Sequence, residues 1–156
     1  MTLTSKQAQQ IGEKQTLLVA FFGLSFAYLI WSLLAGFLSI FESPDFIYIL
    51  VGILLVFIFA YFFGGIIGVK ILLKKRDHTW WGFLCAVSVI FSSVLVASLI
   101  SYFAHDQYDK YLWGPILTVF LFPMMPLPIG LFVILFFGFW LGKRIKMKGE
   151  RLATII

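Results

Sequence analysis

The segment FIYILVGILLVFIFAYFFGGIIGV, residues 46–69, contains no charged side chain and is almost entirely apolar. A helix of about 20 such residues is long enough to cross the hydrocarbon core of a bilayer, which is about 30 Å thick. The segment therefore predicts a transmembrane helix.

The rest of the chain has a similar composition. Apolar residues make up 62% of the 156 residues and charged residues 12%, with 19 phenylalanines. A soluble domain is nearer half apolar and about a quarter charged. A chain of this length cannot hide so much apolar surface in its own core, so lipid is the predicted solvent.

Three further apolar stretches predict an all-α integral membrane protein, a bundle of four transmembrane helices. A short N-terminal segment, residues 1–15, precedes this single domain, residues 16–142, and a basic tail, residues 143–156, follows it. The first span, with about 25 residues, exceeds the roughly 7–15 residues of a signal-peptide core, so we expect it to stay uncleaved. Short connections make neighbouring helices antiparallel. The predicted spans cover residues 16–40, 46–73, 80–102 and 112–142.

The basic residues predict the orientation of the spans. Of the 12 Lys and Arg residues, only Lys110 lies between the third and fourth spans. The others lie before the first span, around the connection between the second and third spans, and after the fourth span. Short loops rich in Lys and Arg remain in the cytoplasm. Both termini and the loop between the second and third spans are therefore predicted to be cytoplasmic. The chain has no asparagine, and hence no N-glycosylation acceptor, which fits a bacterial plasma (inner) membrane.

Two pairs of glycines four residues apart are predicted helix-packing sites. Gly64 and Gly68 lie near the end of the second span, and Gly138 and Gly142 near the end of the fourth. Glycines at this spacing share one helix face and let another backbone approach closely. We expect the second and fourth spans to meet there, within one chain or between chains. Both pairs follow two phenylalanines and precede a basic residue, which indicates either two similar helix ends or a duplicated helical hairpin.

Three prolines, Pro123, Pro126 and Pro128, predict that the fourth helix is kinked or broken. Proline lacks the amide hydrogen, and its ring clashes with the preceding turn of a helix, at a cost of about 3 kcal/mol in a helix interior. Carbonyl groups freed at membrane depth are tolerated only where protein or water covers them. The break is therefore the expected place for a polar surface, with a simple kink packed by neighbouring helices as the alternative.

The sequence indicates no catalytic residue, cofactor site or metal site. No Asp, Glu, Lys, Arg or His lies in the interior of the predicted spans, which argues against proton-coupled transport. His105 and Asp109 lie four residues apart, but two ligands in a wet loop make a poor metal site. We expect the single cysteine, Cys85, to be a small packing residue.

Serines recur at spacings of four and seven residues in the first and third spans. A hydroxyl in lipid bonds to a carbonyl of its own helix or to a neighbouring helix. The pattern predicts a close helix–helix seam, with the lining of a narrow pore as the alternative.

The function expected from these features is that of a non-catalytic membrane subunit or accessory factor, not an enzyme. It would act by helix–helix packing, with copies of itself or with a larger membrane protein. The alternative is a small homo-oligomeric channel or transporter for an uncharged or lipid-like solute. The other expected partners are the lipid bilayer and anionic lipid head groups at the basic inner loops, each basic side chain near the surface contributing about 1 kcal/mol. Nucleic acid is not among them.

Overall fold

The computed structural model describes residues 3–35, 46–104 and 127–155, and the secondary structure within these ranges consists of helices and one turn, with no strand. The predicted all-α fold with four helices is confirmed there. The helices are α1 (Ser5–Ala35), α2 (Phe46–Leu72), α3 (His78–Ala104) and α4 (Leu127–Ile155).

Helix α1 begins well before residue 16, the predicted start of the first span. Thr4 and Gln7 form a capping box: the amide of Gln7 donates to Oγ1 of Thr4 at 3.3 Å, and the amide of Thr4 donates to Oε1 of Gln7 at 3.0 Å. These bonds satisfy amide groups that a helix start would otherwise leave unpaired. The polar residues after Ser5 are therefore helical and continuous with the apolar part of α1.

The connection between α2 and α3 is a tight turn. Lys75 adopts the left-handed conformation, with φ 49°, which reverses the chain after α2. Asp77 then caps α3, because its Oδ1 accepts the amide of Thr79 at 2.9 Å. So short a connection makes α2 and α3 antiparallel neighbours.

The helices form two antiparallel hairpins that pack side by side. Helix α1 packs mainly against α2, and α3 packs mainly against α4. Between the hairpins, α2 contacts α3, α1 contacts α4, and α2 meets α4 across the middle. The buried core lies where these contacts converge, and its fully or nearly fully buried residues are Ile11, Val19, Ala60, Ile67, Ile71, Cys85, Val89, Leu141 and Ile145.

Large apolar side chains point away from this core. Phe62 on α2 and Phe136 on α4 are 61% and 63% exposed, and Phe21, Trp80 and Leu54 are also more than half exposed. In the part of the chain that the structure describes, one stretch, Leu50–Leu72, is long and apolar enough to cross a membrane, with 23 residues and a mean hydropathy of 2.7. That all four helices cross a bilayer stays a prediction.

The described part of helix α4 starts at Leu127, so it includes Pro128, one of the three prolines of the predicted break. Pro123 and Pro126 lie outside the described residues, as do His105, Asp109 and Lys110. At its other end α4 continues without interruption through residues 143–155, so most of the basic tail is helical.

Candidate functional site at the glycine crossings

Helices α1 and α2 cross in backbone contact at glycine. A β-carbon added to Gly68 would lie 2.8 Å from Cα of Gly12, and one added to Gly12 would lie 2.8 Å from Cα of Gly68. One turn away, a β-carbon on Gly64 would lie 2.6 Å from Oγ1 of Thr16. No side chain fits between two helices at these separations, so glycine at these three positions sets the distance between α1 and α2.

Helices α3 and α4 cross in the same way. A β-carbon on Gly82 would lie 2.8 Å from Cα of Gly142, and one on Gly138 would lie 2.8 Å from Cα of Phe83. A β-carbon on Gly142 would also meet the carbonyl of His78. In each hairpin, therefore, one glycine of the first helix, Gly12 or Gly82, contacts a pair of glycines of the second helix.

Within the chain, these contacts pair the glycines differently from the sequence-based expectation. Gly64 and Gly68 face α1, and Gly138 and Gly142 face α3, rather than one pair facing the other. The partner glycine of α1, at position 12, lies in the polar segment before the predicted first span, so a search confined to apolar stretches misses it. The sequence repeat does not reveal it either, because Gly12 and Gly82 are 70 residues apart, whereas the two glycine pairs are 74 residues apart.

A basic residue follows each glycine pair and reaches the other hairpin. Nζ of Lys70 on α2 lies 5.2 Å from the ring centre of Trp81 on α3. Nε of Arg144 on α4 donates to Oε1 of Gln15 on α1 at 3.1 Å, and its guanidinium lies 5.0 Å from the ring of Trp140. Both contacts are favourable for a cation. The two partners differ, since Lys70 meets an indole ring and Arg144 an amide oxygen, so these contacts do not distinguish a duplicated hairpin from two similar helix ends.

The crossing of α1 and α2 also holds a buried carboxylate. Glu13 is 8% exposed, and its Oε1 accepts a hydrogen bond from Nε2 of Gln9 at 2.8 Å. A β-carbon on Gly65 would lie 3.0 Å from the same oxygen, so the absence of a side chain there makes room for Glu13. The sequence places Glu13 before the first predicted span, whereas the structure places it level with the glycine pair of α2.

Four hydroxyl groups of α1 and α3 bond within their own helices. Ser25, Ser32 and Ser93 each donate to the carbonyl four residues earlier, at 2.9, 2.8 and 2.6 Å. Thr16 does the same with the carbonyl of Gly12 at 2.8 Å. This is the local bonding that lets a hydroxyl lie in an apolar helix bundle.

Metal-binding geometry is not found among the residues that the structure describes, where no three His, Cys, Asp or Glu side chains come together. Asp77 and His78 approach to 3.8 Å, but the carboxylate of Asp77 caps α3. Cys85 is fully buried in the core.

Two cavities open near the start of α1 and the end of α4. One, of about 440 Å³, lies beside the turn between α2 and α3, and its charged lining is mixed in sign, with Lys75, Arg76 and Lys146 beside Asp77 and Glu150. The other, of about 320 Å³, lies between α1 and α4. Its lining consists of Leu3, Gln7, Gln10, Ile11, Lys14, Gln15, Lys148 and Leu152.

Searches for similar protein families, similar curated proteins and similar solved structures each found no match. The function is therefore inferred from the residues of this chain alone.

Proposed function

We propose that this chain is a polytopic membrane protein whose four helices cross the bilayer, with both termini in the cytoplasm. We further propose that it is a non-catalytic subunit or accessory factor, which acts by packing against copies of itself or against a larger membrane protein. The observation that carries both proposals is the distribution of residue sizes: glycines lie at the helix crossings and aromatic rings lie on the outside.

This distribution is the reverse of that in a soluble protein, where large apolar side chains lie in the interior. Burying a large apolar side chain in a soluble protein contributes roughly 1.5–3 kcal/mol, so phenylalanines fill soluble cores. Here Phe21, Phe62 and Phe136 are more than half exposed, while Gly12 and Gly68 occupy the interior. In lipid, apolar burial gives no driving force between helices, and small residues that allow close backbone contact dominate the interfaces.

A structural role for the reactive side chains supports a non-catalytic function. The carboxylate of Glu13 accepts a hydrogen bond from Gln9, that of Asp77 caps a helix, and Cys85 is buried in the core. Each of these groups therefore has a structural explanation, and none of the three requires a substrate.

Packing with a partner would use the exposed aromatic faces, because the glycines face helices of their own chain. Tyr61, Phe62 and Ile66 form one such face on α2, and Phe136 and Phe139 form another on α4. Aromatic rings supply large contact areas with few rotatable bonds, which suits a helix–helix interface.

The alternative, a small homo-oligomeric channel or transporter for an uncharged or lipid-like solute, has less support. The serines of the first and third spans were the candidate pore lining, and three of them, Ser25, Ser32 and Ser93, are bonded within their own helices. The packing proposal accounts for these contacts without a solute.

The test is extraction of the tagged chain from native membranes in a mild detergent, followed by measurement of the mass and composition of the particle. One chain has a mass of 17.8 kDa. We expect a particle containing further copies of the chain or one different membrane protein in fixed ratio. A particle holding a single chain and no other protein would contradict the packing proposal, and recovery in the soluble fraction would contradict the membrane location.

A further inference from the structure

The cavity between α1 and α4 has an unusual lining for a protein this apolar. Side chains with positive charge or with amide groups surround it, namely Lys14 and Lys148 with Gln7, Gln10 and Gln15. None of its lining residues, all within the part of the chain that the structure describes, is an aspartate or a glutamate. The larger cavity nearby differs in this respect, since Asp77 and Glu150 offset its basic residues.

The hydrogen-bonding capacity of this lining is biased towards donors. A lysine ammonium donates three hydrogen bonds and accepts none. The amide oxygen of Gln15 already accepts the Nε hydrogen of Arg144 at 3.1 Å, so the NH₂ group is what Gln15 has left to offer as a donor. Two ammonium groups with amide donors suit an anion whose oxygens accept several hydrogen bonds, as those of a phosphate do.

The part of this lining that α1 contributes has no counterpart on α3. Gly12 meets Gly68 as Gly82 meets Gly142, and aligning Gly12 with Gly82 makes Ile11 correspond to Trp81, Lys14 to Leu84 and Gln15 to Cys85. Trp81 packs against the core there, with Lys70 over its ring. Lys14 and Gln15 thus line a cavity on α1, whereas the residues at the corresponding positions of α3 are a leucine and a cysteine.

We propose that the cavity between α1 and α4 binds a phosphate-bearing anion, either the head group of an anionic phospholipid of the inner leaflet or a free phosphate. Ile11, on the cavity wall, gives an apolar surface beside the ammonium groups, as an amphiphile with a charged head requires. The lipid source rests on the membrane location proposed above, whereas the binding of phosphate by these donors does not.

The experiment measures binding to the detergent-solubilised full chain, with short-chain phosphatidylglycerol, phosphatidylcholine and inorganic phosphate as separate probes. The variant is Lys14→Gln with Lys148→Gln. The matched control is Lys74→Gln with Lys143→Gln, which removes the same charge from two exposed lysines that line neither cavity. At about 1 kcal/mol per lysine, we expect the variant to bind phosphatidylglycerol about 10- to 30-fold more weakly than the wild type, and the control to bind within about 3-fold of it.

The three probes separate the two sources of the anion. Saturable binding of phosphatidylglycerol without comparable binding of inorganic phosphate assigns the cavity to a lipid head group. If the lysine substitutions weaken the binding of inorganic phosphate as much as that of phosphatidylglycerol, the cavity is a site for a free anion. Equal weakening by the variant and the control would show general surface attraction and overturn the proposal. Wild-type binding of phosphatidylcholine as tight as that of phosphatidylglycerol would also overturn it, as would no saturable binding of either phosphate probe.

Two further measurements keep the outcomes distinct. If the double variant unfolds, Gln10→Leu replaces it, because Gln10 is exposed and lines the same cavity. Loss of one hydrogen-bond donor predicts roughly 2- to 10-fold weaker binding of the phosphate probe. Unchanged binding would overturn the proposal. Fractionation of the same cells tests the membrane location separately. A chain found in the membrane with no phosphate binding contradicts this inference alone, whereas a soluble chain contradicts the proposed function and leaves the inorganic phosphate probe to decide the cavity.

Discussion

The space that a side chain at position 68 would need is occupied by the backbone of α1 at Gly12. The Cα atoms of Gly12 and Gly68 are so close that neither position admits a methyl group. Gly52, on the same helix, has no atom within 4 Å of where its β-carbon would lie. Substitutions of Gly68 and Gly52 therefore separate the effect of close packing from the general effect of removing a glycine from a helix.

Replacing Gly68 by alanine should destabilise the protein, because the new methyl group lies 2.8 Å from Cα of Gly12 and forces the helices apart. We expect the free energy of unfolding in detergent to fall by about 1–3 kcal/mol, the usual cost of overpacking. Gly52→Ala should leave it unchanged or raise it, since alanine favours a helix over glycine by about 1 kcal/mol. Equal thermal unfolding of the two variants would show that the crossing tolerates a side chain.

The glycine pairs could be chosen from the sequence because their spacing places them on one helix face, but their partner on α1 could not. Hydropathy marks the part of a helix that lipid surrounds, and Gly12 lies outside it in a polar stretch. A capping box at Thr4 shows that the helix starts earlier, yet its significance depends on what the following residues pack against. The two cavities depend on side chains from separate helices, so neither could be anticipated.

At the scale of the helices, the two hairpins are joined by cations that follow the glycine pairs. Arg144 links α4 to Gln15 of α1, and Lys70 links α2 to Trp81 of α3. Helices α1 and α4 both extend beyond their predicted spans. Their polar extensions lie beside each other and line the cavity between α1 and α4.

Replacing Arg144 by glutamine should loosen the contact between α1 and α4. The variant loses the hydrogen bond to Gln15 and the cation above Trp140, so we expect the free energy of unfolding to fall by about 1–2 kcal/mol. Lys143→Gln is the control, because Lys143 is exposed and precedes it on the same helix.

A double-mutant cycle assigns that effect to the pair. Combining Arg144→Gln with Gln15→Ala should give a coupling energy of about 0.5–1.5 kcal/mol in chemical unfolding. Strict additivity of the two substitutions would mean that the hydrogen bond contributes nothing to the association of the hairpins.

At the scale of the whole molecule, the all-α architecture follows from the sequence because every apolar stretch is long enough for a helix and too long for a strand. The packing of those helices is decided by a few small residues, and it places the large aromatic side chains outside. Exposed apolar surface of this kind is typical of sites that contact a membrane or another protein. The central claim is therefore that four helices cross a bilayer with both ends on one side.

Labelling of single cysteines with a membrane-impermeant thiol reagent tests this claim most directly. In a Cys85→Ala background, cysteines are introduced at Ser43 and Gln107, in the two predicted outer loops, and at Lys74, in the predicted inner turn. We expect the first two to be labelled in intact cells and the cysteine at Lys74, an exposed position, to be labelled only after the membrane is opened. Labelling of all three in intact cells, or the reverse pattern, would contradict the four-span arrangement with cytoplasmic termini.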